Sequence, residues 1–136
     1  MFANDFYTLS AMAADFESAF QSLKAIYRPY ADRLHVKADT PTNYALYSRV
    51  PSPFPQHKGH GMYFGSVEIG KAYVSFHLMP LYMNDKLTAT ISPALEKRMQ
   101  GKTCFNFKAV PEAGILAELD RLTTSGFRCF QDKSWV

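Results

Sequence analysis

Only two cysteines, Cys104 and Cys129, occur in 136 residues, so at most one bridge can form and a disulfide scaffold is excluded. No apolar run approaches the ~18 residues that a bilayer crossing needs. The opening Met1-Phe-Ala-Asn-Asp-Phe-Tyr7 lacks the basic start and apolar stretch of a secretory signal. A soluble cytoplasmic protein with reduced thiols and no membrane partner is the expectation. Charge is sparse too: 20% of the residues are charged, and 15 Lys and Arg against 12 Asp and Glu leave a net +3. Spread over a surface of this size, that field does not mark a nucleic-acid binder. There is no internal repeat, low-complexity segment or domain linker.

Aromatic residues are abundant by contrast. Eleven Phe, 8 Tyr and 1 Trp, in a chain 47% hydrophobic, rule out disorder. A folded chain of this length buries roughly two thirds of the surface that its extended form exposes, so one domain spanning 1–136 is expected.

The apolar spacing changes along the chain. Met12, Phe16, Phe20, Leu23 and Tyr27, filled in by Ala19 and Ile26, make the stripe of an amphipathic helix over 11–28, with Ser10 as cap and Pro29 as stop. Short segments rich in β-formers follow at 34–37 and 44–50, joined by a turn at 38–43. Pro51-Ser-Pro-Phe-Pro55 opens the one long loop, which runs on through Gln56-His-Lys-Gly-His-Gly61. The segments 62–69 and 72–79 read as a hairpin around Gly70-Lys71. In its second strand Val74, Phe76 and Leu78 alternate with Tyr73, Ser75, His77 and Met79, so both faces are partly covered and the strand belongs mid-sheet.

Ser92-Pro93 is a helix start, and Gly101 closes that helix after about two turns. A strand at 103–107 turns Phe105 and Phe107 inward. Pro111 opens a last helix with Ile115, Leu116, Leu119 and Leu122 on one face, ended by Gly126. This order predicts an α+β fold: a largely antiparallel sheet with an N-terminal helix, a short central helix and a C-terminal helix packed on it.

Several side chains carry chemistry. His57 and His60 are two imidazoles three apart in a Gly-containing loop, but no further ligand is spaced beside them. They read as exposed loop histidines, and no metal or cofactor is assigned. His77 serves as a general base or ligand contact if its sheet face lines a cleft, and otherwise as a buried, satisfied imidazole. Cys104 follows Gly101-Lys102, whose ammonium would lower its pKa and make it a reactive thiol, with His77 as base if their strands are neighbours. A packed, inert thiol is the plainer reading. Gly101-Lys102-Thr103 resembles the end of a phosphate-binding loop, but Glu96 stands where such a loop needs glycine, which excludes a nucleoside triphosphatase.

From Lys86 to Lys108 five cations, Lys86, Lys97, Arg98, Lys102 and Lys108, face the single acid Glu96. An anion site built from Lys97, Arg98 and Lys102 with the free amides at Ser92 is one reading, and a solvated charged face is the other. The acids are scattered and form no carboxylate pair. Tyr27, Tyr30, Tyr44, Tyr47, Tyr63, Tyr73 and Tyr82 suffice to line an apolar cleft with hydroxyls at its rim, although sheet and core packing use the same residues.

The string Tyr73-Val-Ser-Phe-His-Leu-Met-Pro-Leu-Tyr82, followed by Ile91-Ser-Pro-Ala-Leu-Glu-Lys-Arg-Met-Gln-Gly-Lys-Thr-Cys-Phe-Asn-Phe107, resembles the YdhG-like family of small bacterial domains of unknown function. The segment 46–50, Tyr63-Phe-Gly65 and the N-terminal helix are compatible with it. The resemblance implies an α+β fold and, through relatives similar to frataxin, a link with iron handling. This chain's first helix holds only Asp15 and Glu17, so an iron chaperone ranks second. The leading expectation is a non-enzymatic module, a monomer or weak homodimer. It binds a small, anionic ligand or a protein partner through His77, Tyr82, Lys102 and Asn106. A cysteine-dependent enzyme using Cys104 ranks third.

Overall fold

The computed structural model describes the backbone of residues 2–136 and, from residue 11 onward, their side chains. Helix α1 (Phe2–Tyr27) runs into a 3-10 turn, Arg28–Tyr30. Two strands follow, β1 (His35–Thr40) and β2 (Asn43–Pro51), then a 3-10 turn at Pro55–His57. Next come β3 (Gly61–Ile69), β4 (Val74–Leu78) and three short helices, α2 (Pro80–Met83), α3 (Asp85–Thr88) and α4 (Pro93–Glu96). Strands β5 (Met99–Gln100) and β6 (Cys104–Phe107) lead to α5 (Ala113–Asp132). The strands form one six-stranded sheet in the order β1-β2-β3-β4-β6-β5. Every neighbouring pair is antiparallel, so the fold is α+β as the element order requires. Among the described residues no helix is long and apolar enough to cross a membrane.

Helices α1 and α5 lie together on one face of the sheet. The stripe Phe16, Ala19, Phe20, Leu23, Ile26 and Tyr27 is buried, while Met12 remains 41% exposed. Helix α1 begins before Ser10, so that residue does not start it, and a capping role for its side chain lies outside the described residues. Pro29 ends the α-helix as expected, yet Tyr30 continues the apolar stripe from the 3-10 turn and packs at 5.0 Å on Phe127 of α5.

From the sheet, Tyr44, Leu46, Val67, Val74, Phe76, Leu78, Phe105 and Phe107 enter the same core. This is the period-two pattern read at 74–78 and 103–107. Lys24 is buried along its stem against Tyr44 and reaches Asp39 of β1 at 2.9 Å. Asp39 therefore belongs to a strand, and the β1–β2 turn is tighter than 38–43, with Thr40 opposite Asn43.

One irregularity decides how the helix meets the sheet. The pairing of β2 with β3 passes from Leu46 opposite Gly65 to Tyr47 opposite Tyr63, which leaves Phe64 as the extra residue of a bulge. Phe64 and Gly65 then both face the helices. Phe64 fills the space between Tyr27, Phe127 and Phe130. Gly65 leaves a gap that the Tyr27 hydroxyl enters to donate to the His77 carbonyl, while its ring stacks on Phe76 at 4.7 Å. A Cβ on Gly65 would stand 2.5 Å from that carbonyl oxygen and 2.7 Å from Tyr27 Cζ, so only glycine fits.

Two other glycines take roles different from those expected. Gly126 does not end the last helix, which continues to Asp132; a Cβ there would lie 2.9 Å from Pro80 Cγ, so the residue allows α5 to approach α2. Gly101, at φ 72°, turns the chain from β5 into β6 instead of closing a two-turn helix. Helix α4 is a single turn, capped by Ser92 Oγ accepting from the Leu95 amide at 3.2 Å. The chain end is pinned as well: Trp135 packs edge-on to Phe130, and its carbonyl accepts from Ser48 Oγ of β2.

Gly65→Ala is expected to cost about 1–3 kcal/mol through overpacking, read from urea unfolding. In a Tyr27→Leu background the same substitution should cost less, because the clash with the Tyr27 ring is gone and only the one with the His77 carbonyl remains. Equal costs in both backgrounds would contradict this packing.

Candidate functional site

The sheet face opposite the helices is partly open. Strand register lays Ala45, Ser66, His77, Cys104 and Gln100 side by side across five strands, with Asn43, Glu68, Ser75 and Asn106 in the next row. Tyr63, Ser75, His77, Cys104 and Asn106 are all half-buried there. The face that carries His77 in β4 is thus the open one, and β4 lies mid-sheet between β3 and β6.

At one end of this face lies a cleft of about 590 Å³ between the 51–61 loop and α2. Its walls are the rings of Tyr47, Phe54, Tyr63 and Tyr82 and the thioethers of Met62, Met79 and Met83, with Lys37, His57 and His60 among the polar groups. Local sequence chemistry builds the loop wall. Pro55 opens the 3-10 turn, Lys58 takes a left-handed conformation, and His57 Nδ1 bonds Ser52 Oγ at 2.6 Å while its ring meets Phe54 edge-on. His57 and His60 are therefore cleft-lining residues, not merely exposed ones.

Tyr63 anchors the floor. Its hydroxyl bonds Ser66 Oγ at 2.5 Å and its ring leans on Tyr47 at 5.3 Å. Burial holds its phenol far above the usual tyrosine range, so it stays neutral. Lys37 Nζ lies 4.5 Å over the Tyr47 ring and Lys102 Nζ 5.7 Å over the Tyr82 ring, so both ammoniums flank aromatic walls.

The other end of the face is a polar recess of about 410 Å³ lined in part by Ser75, His77, Gln100, Cys104 and Asn106. His77 and Cys104 are cross-strand partners, with Cys104 Sγ 3.8 Å from His77 Nε2 and 3.4 Å from Asn106 Oδ1. Asn106 is engaged on both ends: Oδ1 accepts from Ser75 Oγ at 2.7 Å and Nδ2 donates to Gln100 Oε1 at 2.7 Å.

The neighbour condition for a Cys–His pair is met, yet the electrostatics oppose a thiolate. Burial lowers the His77 pKa, opposed by Glu68, and burial raises the Cys104 pKa, opposed by the neighbouring Ser75 hydroxyl. Both groups are neutral near pH 7. Lys102 does not activate the thiol, because it sits in the β5–β6 turn with its ammonium over Tyr82.

The five residues singled out in the sequence thus fall into two neighbouring groups. His77, Cys104 and Asn106 converge in the polar recess, and Tyr82 with Lys102 meets at the apolar cleft. Tyr47 and Tyr63 line the cleft as the tyrosine count allows, whereas Tyr27 and Tyr44 are core. Met79 was placed on the His77 face by strand alternation, whereas Lys37, Phe54, Met62 and Met83 gave no sequence signal, because each alone looks like packing or a loop residue.

The anion site drawn around Ser92 is already filled. Glu118 of α5 accepts from the Ser92 amide at 2.7 Å and from its hydroxyl at 2.5 Å. Lys97 and Arg98 face a different cavity, with Lys108 and without Lys102. Among the described residues no three His, Cys, Asp or Glu side chains gather as metal ligands.

Cys104 should alkylate with iodoacetamide more slowly at pH 7–8 than a free cysteine; rapid reaction well below pH 8 would contradict the raised thiol pKa. His77 should titrate below its ordinary value near 6.5. Protons then bind the unfolded chain more readily than the folded one, so stability is full above pH ~6.5 and falls as the pH drops through the interval down to the folded pKa. Urea midpoints for the wild type and His77→Asn test this: the variant should lose part of that acid dependence, and an unchanged slope would contradict it. In comparisons with protein-family models, curated proteins and solved structures, nothing matches this chain.

Proposed function

We propose that this chain is a non-enzymatic binding module that holds a small, largely apolar and aromatic ligand against the open face of its sheet. One observation carries the reading: the 590 Å³ cleft walled by four aromatic rings and three methionines. Its volume lies within the roughly 300–1,000 Å³ of small-molecule sites, which are mostly apolar with a few orienting polar groups. The methionine thioethers suit a site that adapts to ligand shape.

Lys37 in the wall and Lys102 over the ring of Tyr82 beside it give the cleft a positive bias, which favours a ligand bearing one negative group. His77 and Asn106 extend the polar side of the same face. The neutral Cys104–His77 pair supports binding over covalent catalysis, since a thiol nucleophile acts as its thiolate. Iron delivery draws no support from this face, because among the described residues no third His, Cys, Asp or Glu joins His77 and Cys104 as a ligand set.

The probe is 2-naphthoate, an aromatic ring system with one carboxylate, titrated into protein carrying labelled methionine methyls. The Met62, Met79 and Met83 signals should move together with sub-millimolar affinity, and Met83→Trp, which fills the cleft, should weaken binding about tenfold or more. No movement of these three signals at millimolar probe, or equal binding by Met83→Trp, would overturn the proposal.

A further inference from the structure

Three cations away from the aromatic cleft make a second site. Lys97 and Arg98 follow α4, and Lys108 follows β6. The Asn106 amide donates to the Arg98 carbonyl at 2.8 Å and Met99 pairs with Phe105, which brings the two segments side by side. All three side chains are exposed, and among the described residues none has a carboxylate within ion-pair distance, since the pairs formed are Lys24–Asp39 and Arg121–Glu118. Glu118, whose carboxylate is the anion at Ser92, is held there and by Arg121 at 3.8 Å. Three like charges side by side repel one another unless an anion joins them.

The cations also share the walls of two cavities. One, of about 590 Å³, has Phe107, Val110, Pro111 and Ile115 as its apolar part and Glu112 as its single acid. The other, of about 570 Å³, includes Tyr73, over whose ring Lys108 Nζ lies at 5.5 Å. An anion centred on the three cations would have apolar surface beside it, including Val110, which is 48% exposed.

We propose that Lys97, Arg98 and Lys108 bind the phosphate of a small phosphomonoester whose organic part rests on the apolar wall around Val110 and Ile115. A phosphate dianion suits this set better than a carboxylate. It carries enough charge to neutralise most of the cluster, and its oxygens accept the planar fork of an arginine together with two ammonium donors. This site is independent of the aromatic cleft and stands or falls separately.

The test is a titration of the full chain with phenyl phosphate at constant ionic strength, followed by amide resonances. Shifts should centre on residues 97, 98, 108 and 110, with sub-millimolar affinity. Arg98→Gln and Lys108→Gln should each weaken binding about fivefold or more. Lys86→Gln, in the same basic run but outside both cavities, should change it less than about twofold. Glu112→Gln, which removes the one acid in the cavity wall, should tighten binding. Each altered residue is exposed, so the variants keep the fold. Absence of binding at 5–10 mM probe, or equal weakening by Lys86→Gln and Arg98→Gln, would overturn the site.

Discussion

The contact on which the rest of the structure depends is the Tyr27 hydroxyl donating to the His77 carbonyl through the gap left by Gly65. It joins the end of the first helix to the centre of the sheet. A buried hydrogen bond of this kind contributes about 1 kcal/mol net, but losing its partner leaves a desolvated carbonyl at a larger cost. The bulge at Phe64 makes the contact possible by turning two successive residues of β3 towards the helices. With α1 fixed there, α5 closes over Phe64 through Phe127 and Phe130, and one sheet face becomes the core.

The opposite face follows from the same geometry. Strand alternation that buries Phe76 and Leu78 turns Ser75 and His77 outward, and Phe105 inward leaves Cys104 and Asn106 beside them. Half-burial of that polar row keeps thiol and imidazole neutral, so it serves as a hydrogen-bonding surface more readily than as a nucleophile with its base. Where β3 and β4 meet α2 and the long loop, methionines and tyrosines replace the polar row. The resulting surface is polar at one end and apolar at the other, while Lys97, Arg98 and Lys108 gather where α4 and β6 meet.

Much of the fold was legible because it rests on local rules. The α1 stripe, the Ser92 cap and the alternation at 74–78 and 103–107 each follow from spacing within one element. Gly126 was misread and Gly65 carried no signal because a glycine's meaning lies in what approaches it: Pro80 against Gly126, the Tyr27 ring against Gly65. The two-residue β5 and the one-turn helices α2 and α3 are too short to show periodicity. The cleft was least legible, since Lys37, Phe54, Met62 and Met83 come from four separate elements. The alternative of a Cys104 thiol activated by Lys102 loses its ground for a related reason: Lys102 is near it in sequence, but the turn carries the ammonium to Tyr82 and burial dominates the thiol.

With Tyr27 locked into one face of the sheet, the opposite face is left open around Tyr82, Met79 and Met83. Hydroxyl-radical footprinting read residue by residue tests it directly. Tyr82, Met79 and Met83 should be modified rapidly, while Tyr27, Phe64 and Phe76 are protected until the chain unfolds. Protection of Tyr82 and Met79 equal to that of Tyr27 in the free protein would contradict the open face and the binding role assigned to it.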